Sequence, residues 1–413
     1  MQPAPFIAWV DYSEAERDLM RRTLLLFKET ETRDELGLGA IRDALSDLMF
    51  PGTSTIQTRL RYFLFVPWLY QSLESRPKLN PRDLEQALRK KELALIGPLK
   101  EDDDDIGVFG KVAGHTVTRL PSSVYWNGLR TWGIFRPSLT QDEFHRSWSD
   151  VHELRKQSVQ PDDKGIAANE VHVWDHTLPE PPPGDWVKTA TFALTKTEAL
   201  YLQEKMHLGQ CGGSLLAHFV VRGRADVHAA FPWTAVSAAA LPERLRELLR
   251  HSEVFSTLMY GASLLYNLAL SRRSTFERHT ERIDSYEEGL ATWSLQAKSV
   301  AENWRAEHLW DFLAKNDHPV PKHRGDRRFV EQWTELAKSN PKGVADNELA
   351  SRLVELRERE LKRGERSRFA NPKALARWSG ASGTRQLNYR WHRVQRLLAD
   401  LYTGLDQPDP AAE

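Results

Sequence analysis

Two stretches of this chain are apolar on nearly every side of a helical wheel: Tyr62 to Tyr70 (YFLFVPWLY) and Val254 to Arg273 (VFSTLMYGASLLYNLALSRR). A helix without a polar face has to be surrounded, so both are expected at the centre of a helical core. Neither reads as a membrane span, because no uninterrupted apolar run approaches the roughly 18 residues needed. The N-terminal residues turn charged too early for a signal peptide. With 413 residues, 40% of them apolar, the chain exceeds what one core organises, and two or three subdomains are expected. A single Cys211 excludes an internal disulfide and any multi-cysteine metal site, which fits a cytoplasmic setting. The fourteen tryptophans are spread along the chain, as packing residues would be.

Helical spacing dominates the remainder, giving a mainly α reading with helix-turn-helix-like elements and a few short strands. Phe6 to Asp11 reads as a strand, followed by a helix from Ser13 with Glu16 as capping partner. Helices are expected over Gly39 to Met49, from a Ser54 or Thr55 cap through Glu74, and from Asn80-Pro81 to about Ile96. KEDDDD at 100 to 105 reads as a solvated acidic loop. Pro121 with Ser122 and Ser123 opens another helix. Lys188 to Leu194 alternates like a strand, and Thr195 with Glu198 caps a helix to about His207. Further helices are expected over Ser214 to Arg222, Pro242 to His251, Glu253 to Arg272, 284 to 315, Phe329 to Lys338 and Asp346 to Lys362. QSVQPDDKG and LPEPPPGDW forbid regular structure, which divides the chain into helical segments at 1–156 and 187–340, a linker at 157–186, and a basic segment at 341–413.

That last segment carries the strongest functional signal. Between Arg352 and Arg396, thirteen Lys or Arg meet four acids in a chain of zero net charge. NPKALARWSGASGTRQLNYRWHRVQRLLADL reads as a short helix, a glycine turn and a longer amphipathic helix. On one face of the longer helix Leu387, Trp391, Val394, Leu398 and Leu401 form a packing stripe. Arg385, Tyr389, His392, Arg393 and Arg396 fall on the opposite side. Thr384 at the helix start, Asn388 as an adenine reader, and Arg366 and Arg368 upstream complete a candidate nucleic-acid interface. The competing readings are that these cations pair with acids elsewhere in the chain, or meet an acidic protein. Secondary candidate contacts are Gln57, Arg61 and Arg130, although Gln57 and Arg59 read first as parts of a buried structural joint and the segment around Arg130 as packing.

Enzyme signatures are weak. No phosphate loop, dinucleotide fingerprint or GxSxG occurs, so no cofactor is implied. His172, Asp175 and His176 in HVWDH lack a fourth metal ligand and read as surface residues, so no metal is assigned. Arg246 and His251 form an R-x4-H pattern used by some helical ribonucleases. Asp346 with Glu360 and Lys362 mimics a nuclease D…ExK pattern on a charged helix.

The motifs TIQTRxRYFLFVPW and SGxxxLxYRW, with GVFGKVAGHTVTRLPSSVYWNGLRTWGI and FSTLMYGASLLYNLAL, span nearly the whole chain. They resemble an uncharacterised bacterial family defined only as a domain of unknown function. The resemblance transfers no catalytic residue. It implies gene neighbourhoods of antiphage defence with helicases, nucleases or methyltransferases. The expected role is thus a non-enzymatic subunit of a defence assembly that binds double-stranded DNA through the C-terminal helix-turn-helix. Its alternatives are a scaffold that binds a helicase or nuclease without touching DNA, and a metal-independent ribonuclease.

Overall fold

The computed structural model describes residues 34–102, 104–159, 172–222, 224–318 and 324–408. The strand and helix expected before Phe27 lie outside them. The architecture is mainly α. Among the described residues no sheet forms, and the lone β-bridge joins Phe135 to Trp174. The expected strand at 188–194 is therefore corrected. Its alternation is real, since Ala190, Phe192 and Leu194 are buried and the residues between them exposed. No second strand pairs with it; instead the Phe192 N–H donates to Asp102 Oδ2 at 2.9 Å.

Local caps formed where the residues supply them. Asn80 accepts from the Asp83 N–H at 3.0 Å ahead of the helix Pro81–Ala94. Thr195 and Glu198 complete a reciprocal capping box on the helix Lys196–His207. Asn347 caps Glu348–Lys362. The two helices expected over 242–272 are one, Glu243–Arg273. This helix is long and apolar enough to cross a membrane, which corrects the expectation that no candidate exists, but 83% of its most apolar window is buried in the protein.

The chain forms two compact units, each drawn from sequence-distant stretches. One joins the stretch ending at Ala44 to Arg250–Leu387; the other joins Leu45–Leu249 to the stretch beginning at Asn388. In the first unit, Trp293 and Trp333 donate their indole N–H groups to the carbonyls of Thr257 and Leu258, both at 2.7 Å. Gly261 leaves room for the Trp293 ring: a Cβ there would lie 2.2 Å from Cε2.

In the second unit, the helix Tyr62–Gln71 is buried from Tyr62 through Tyr70, as an all-round apolar helix requires. Its start is a correction, because residues 55–61 are turns and irregular backbone. The N–H groups of Thr58 and Arg59 donate to Tyr125 Oη, and that of Leu60 donates to Asp400 Oδ2 at 2.8 Å. These side chains satisfy the backbone that a helix would otherwise bond internally.

Candidate nucleic-acid interface

The expected recognition helix begins seven residues later than Thr384, at Trp391. Residues 377–390 take an irregular path, ending in left-handed conformations at Tyr389 and Arg390. Within the first unit, distant side chains hold this backbone. Asn267 Nδ2 donates to the Ser382 carbonyl at 2.7 Å while its Oδ1 accepts from the Ser382 N–H at 2.8 Å. Ser256 Oγ donates to the Leu387 carbonyl, and the His279 ring meets the Trp378 carbonyl. The preceding helix, Pro372–Ala376, has five residues. A helix-turn-helix of the expected form is thus corrected: the turn is tied down by side chains instead of opening a long helix.

The expected face is correspondingly dispersed. Arg385 is exposed, and Thr384 and Asn388 are half-buried, all before the helix. Tyr389 is 1% exposed, so it cannot contact a base. Trp391, Val394, Leu398 and Leu401 form the buried stripe as expected, but Leu387 precedes the helix and is half-buried. His392 is exposed.

The arginines at 390, 393 and 396 bond within the second unit. Arg390 pairs with Asp47 at 2.7 Å and donates to the Thr53 carbonyl at 2.9 Å. Arg393 Nε donates to the Thr55 carbonyl at 2.9 Å, and burial draws its guanidinium below the usual arginine pKa. Arg396 pairs with Asp104. Asp104 also meets Arg59 at 3.3 Å, and Arg59 pairs with Asp400 at 3.0 Å. Asp104 therefore clasps two arginines, and Lys100 and Glu101 end the helix Ile96–Glu101, both corrections to the reading of this run as a solvated loop. The segment GTSTIQTRLRY thus meets NYRW through the bond from Arg390 to the Thr53 carbonyl.

Two of the three secondary candidates are similarly engaged. Gln57 closes the PGTST turn, accepting from the Ser54 N–H and donating to the Gly52 carbonyl, both at 3.1 Å. Arg61 is buried against Glu198 at 2.7 Å. Arg130 is half-buried in the helix Pro121–Thr131. In the first unit, Arg368 is buried between Glu35 and the Tyr266 hydroxyl, while Arg366 is exposed.

One portion of the basic segment stays open. After Glu348–Lys362 the chain turns through Arg363 (φ 47°) and Gly364 (φ 73°). Ser367, Arg368 and Phe369 then anchor it: Ser367 Oγ donates to Glu358 Oε2, the Arg368 N–H donates to Oε1 of the same carboxylate, and Phe369 packs edge-on against Tyr266. Around that anchor Arg363, Arg366, Lys373 and Arg377 are exposed, with no carboxylate partner among the described residues. Arg363, Lys373 and Arg377 escaped the sequence reading, which followed a helix face that does not form. Their signal was the separation of these positions from the apolar anchor between them.

The enzyme-like patterns have structural partners. His251 is buried and accepts the Trp304 indole N–H at 2.9 Å; burial, with His308 and Arg250, pushes its pKa down to about 4. Arg246 pairs with Glu243. Asp175 is wrapped by Arg136, Lys205 and Thr177; these bonds outweigh burial and hold its carboxyl at about 2. Asp346 meets Arg272, Glu360 meets Arg357, and Lys362 meets Glu35. Burial pushes the Cys211 thiol up to about 12, so no reactive thiolate is set up there.

The fold and the inward-turned arginines define a mainly helical, two-unit protein with a short open cationic segment. The chain belongs to the family of unknown function DUF6361, whose profile matches residues 4–404. No curated protein and no solved structure matches it at a significant level.

Proposed function

We propose that this chain is a nucleic-acid-associated subunit of a bacterial antiphage defence assembly, working in the cytoplasm beside helicase, nuclease or methyltransferase subunits. It contacts the phosphate backbone of double-stranded DNA through Arg363, Arg366, Lys373 and Arg377, with Arg385 and His392 as outlying contacts. The observation that carries this reading is the exposure of those four cations around a buried anchor, in a segment where Arg357, Arg359, Lys362, Arg368, Arg390 and Arg396 have internal partners. A turn of this kind suits phosphate contact, because it offers point charges without a helix face aimed at base edges. The reading draws its biological setting from the gene neighbourhoods implied by the family resemblance.

The test is anisotropy of a labelled duplex titrated with the full chain at two salt concentrations. Binding is expected to weaken steeply with salt, with a slope of about 0.9 per neutralised phosphate. Replacing Arg363, Arg366, Lys373 and Arg377 together by Ala is expected to remove most of that slope. Undiminished binding by that variant, or no binding by the parent at low salt, overturns the reading. Absent DNA affinity together with co-purification of neighbouring gene products would instead favour a scaffold, a role to which exposed leucines on Glu348–Lys362 lend support.

A further inference from the structure

The helix Glu348–Lys362 has two apolar faces, and one of them is open. Ala350 and Val354 turn inward with Arg357 and Glu358. Leu349, Leu353 and Leu356, spaced at i, i+4 and i+7, form one outward row, with Leu349 69% and Leu356 50% exposed. Together with Leu336 of the neighbouring helix Arg324–Ser339, they line a groove of about 500 Å³. Single exposed leucines are ordinary, but a row beside a groove marks a contact surface.

The charges on the rim specify what fits there. Glu307 and Glu331 are matched by Arg305 and Arg327 of the same chain. Glu335 on one helix and Arg352 on the other line the same groove, are exposed, and have no ion-pair partner among the described residues. The rim therefore offers one open anion and one open cation on opposite sides of an apolar floor. We infer that the occupant is a second copy of this chain, related by a two-fold axis. Such an axis lays the leucine row of one copy on that of the other. It also brings Arg352 of each copy to Glu335 of the other, since an isologous contact uses the same patch twice. The resulting dimer carries two sets of the 363–377 cations, each immediately following the helix that forms the contact. Dimerisation stands apart from DNA binding and is measured separately.

Sedimentation equilibrium of the full chain is expected to give twice the 47.5 kDa of one chain at micromolar concentration. A monomer throughout that range overturns the inference. Leu353→Glu changes an outward side chain and is expected to yield a folded monomer, with folding checked by circular dichroism. A folded L353E that remains dimeric overturns it. Glu335→Arg and Arg352→Glu are each expected to weaken association about tenfold by setting like charges together. The double variant E335R/R352E restores the opposite-charge pairing and is expected to recover parent affinity to within about threefold. A double variant no tighter than either single one overturns the two-fold arrangement.

Discussion

Arg59 and Asp400, 341 residues apart in sequence, meet at 3.0 Å with side chains only 5% and 6% exposed. Asp400 also receives the Leu60 N–H, and Arg59 donates to the carbonyls of Asp104 and Ile106. Removing Asp400 leaves the buried Arg59 guanidinium with only the solvent-exposed Asp104 carboxylate opposite it, at 3.3 Å. Asp400→Ala is expected to destabilise the second unit by about 3–5 kcal/mol. The apolar pair Arg59→Met with Asp400→Leu should cost clearly less than the sum of the single changes. Urea midpoints of the three variants check this; equal costs for the double variant and that sum would show that the two residues act independently.

Gly261→Ala tests the tryptophan packing of the first unit. Alanine favours a helix over glycine by about 1 kcal/mol. Here its methyl would meet the Trp293 ring, whose N–H is bonded to the Thr257 carbonyl. Overpacking is expected to win, with a net loss of about 1–3 kcal/mol and a shift in tryptophan emission. A higher melting temperature with unchanged emission would refute the packing account.

Glu92 supplies a pH dependence. Its carboxylate accepts from the Ser122 N–H at 2.6 Å and from Ser122 Oγ at 3.2 Å, near the start of the helix Pro121–Thr131. Burial outweighs these bonds and pushes its pKa up from 4.5 to about 7. Between those values the folded state binds the additional proton, so its contribution to stability is full below pH 4.5 and is lost as pH rises through 7. Glu92→Gln retains an acceptor for the Ser122 N–H and removes the ionisation. The variant is expected to lose this slope and to exceed the parent above pH 7, which melting temperatures from pH 4.5 to 8 will measure.

His251 has the opposite sign. Its pKa is depressed from 6.5 to about 4, so its contribution is present above pH 6.5 and lost as pH falls through 4. Titration of its ring protons by NMR is expected to give a midpoint near 4, and Trp304→Phe, which removes the indole donor, should move that midpoint. A midpoint at the ordinary histidine value would exclude the buried neutral ring.

The local features of the fold were legible from sequence. Asn80-Pro81 and Thr195 with Glu198 carry their own capping partners within three residues, and both helices begin where those residues stand. The start of the last helix was not legible, because the backbone before it is satisfied by Asn267, Ser256 and His279. Alternation at 190–194 reported burial correctly, but a strand also requires a ladder partner, which alternation does not supply. The candidate site divided in the same way. The cationic excess was plain in the composition, yet the acids that consume it lie 343 residues from Arg390 and 292 from Arg396. Asp400 offered one clue, four residues from Arg396 on the predicted helix.

The last helix also sets an order of events during synthesis. Trp391 stacks on Phe50, and Gly404 comes close enough to Leu194 and Ala199 that an added Cβ would lie 2.8 Å from each of their Cβ atoms. A ribosome makes every residue of the 250–387 stretch before it makes the helix that covers this apolar bed. The nascent Leu45–Leu249 stretch therefore waits with that bed uncovered, the condition in which incomplete chains aggregate or recruit chaperones. Expression yield of this protein should accordingly respond to chaperone supply and elongation rate more than its finished, neutral surface would suggest.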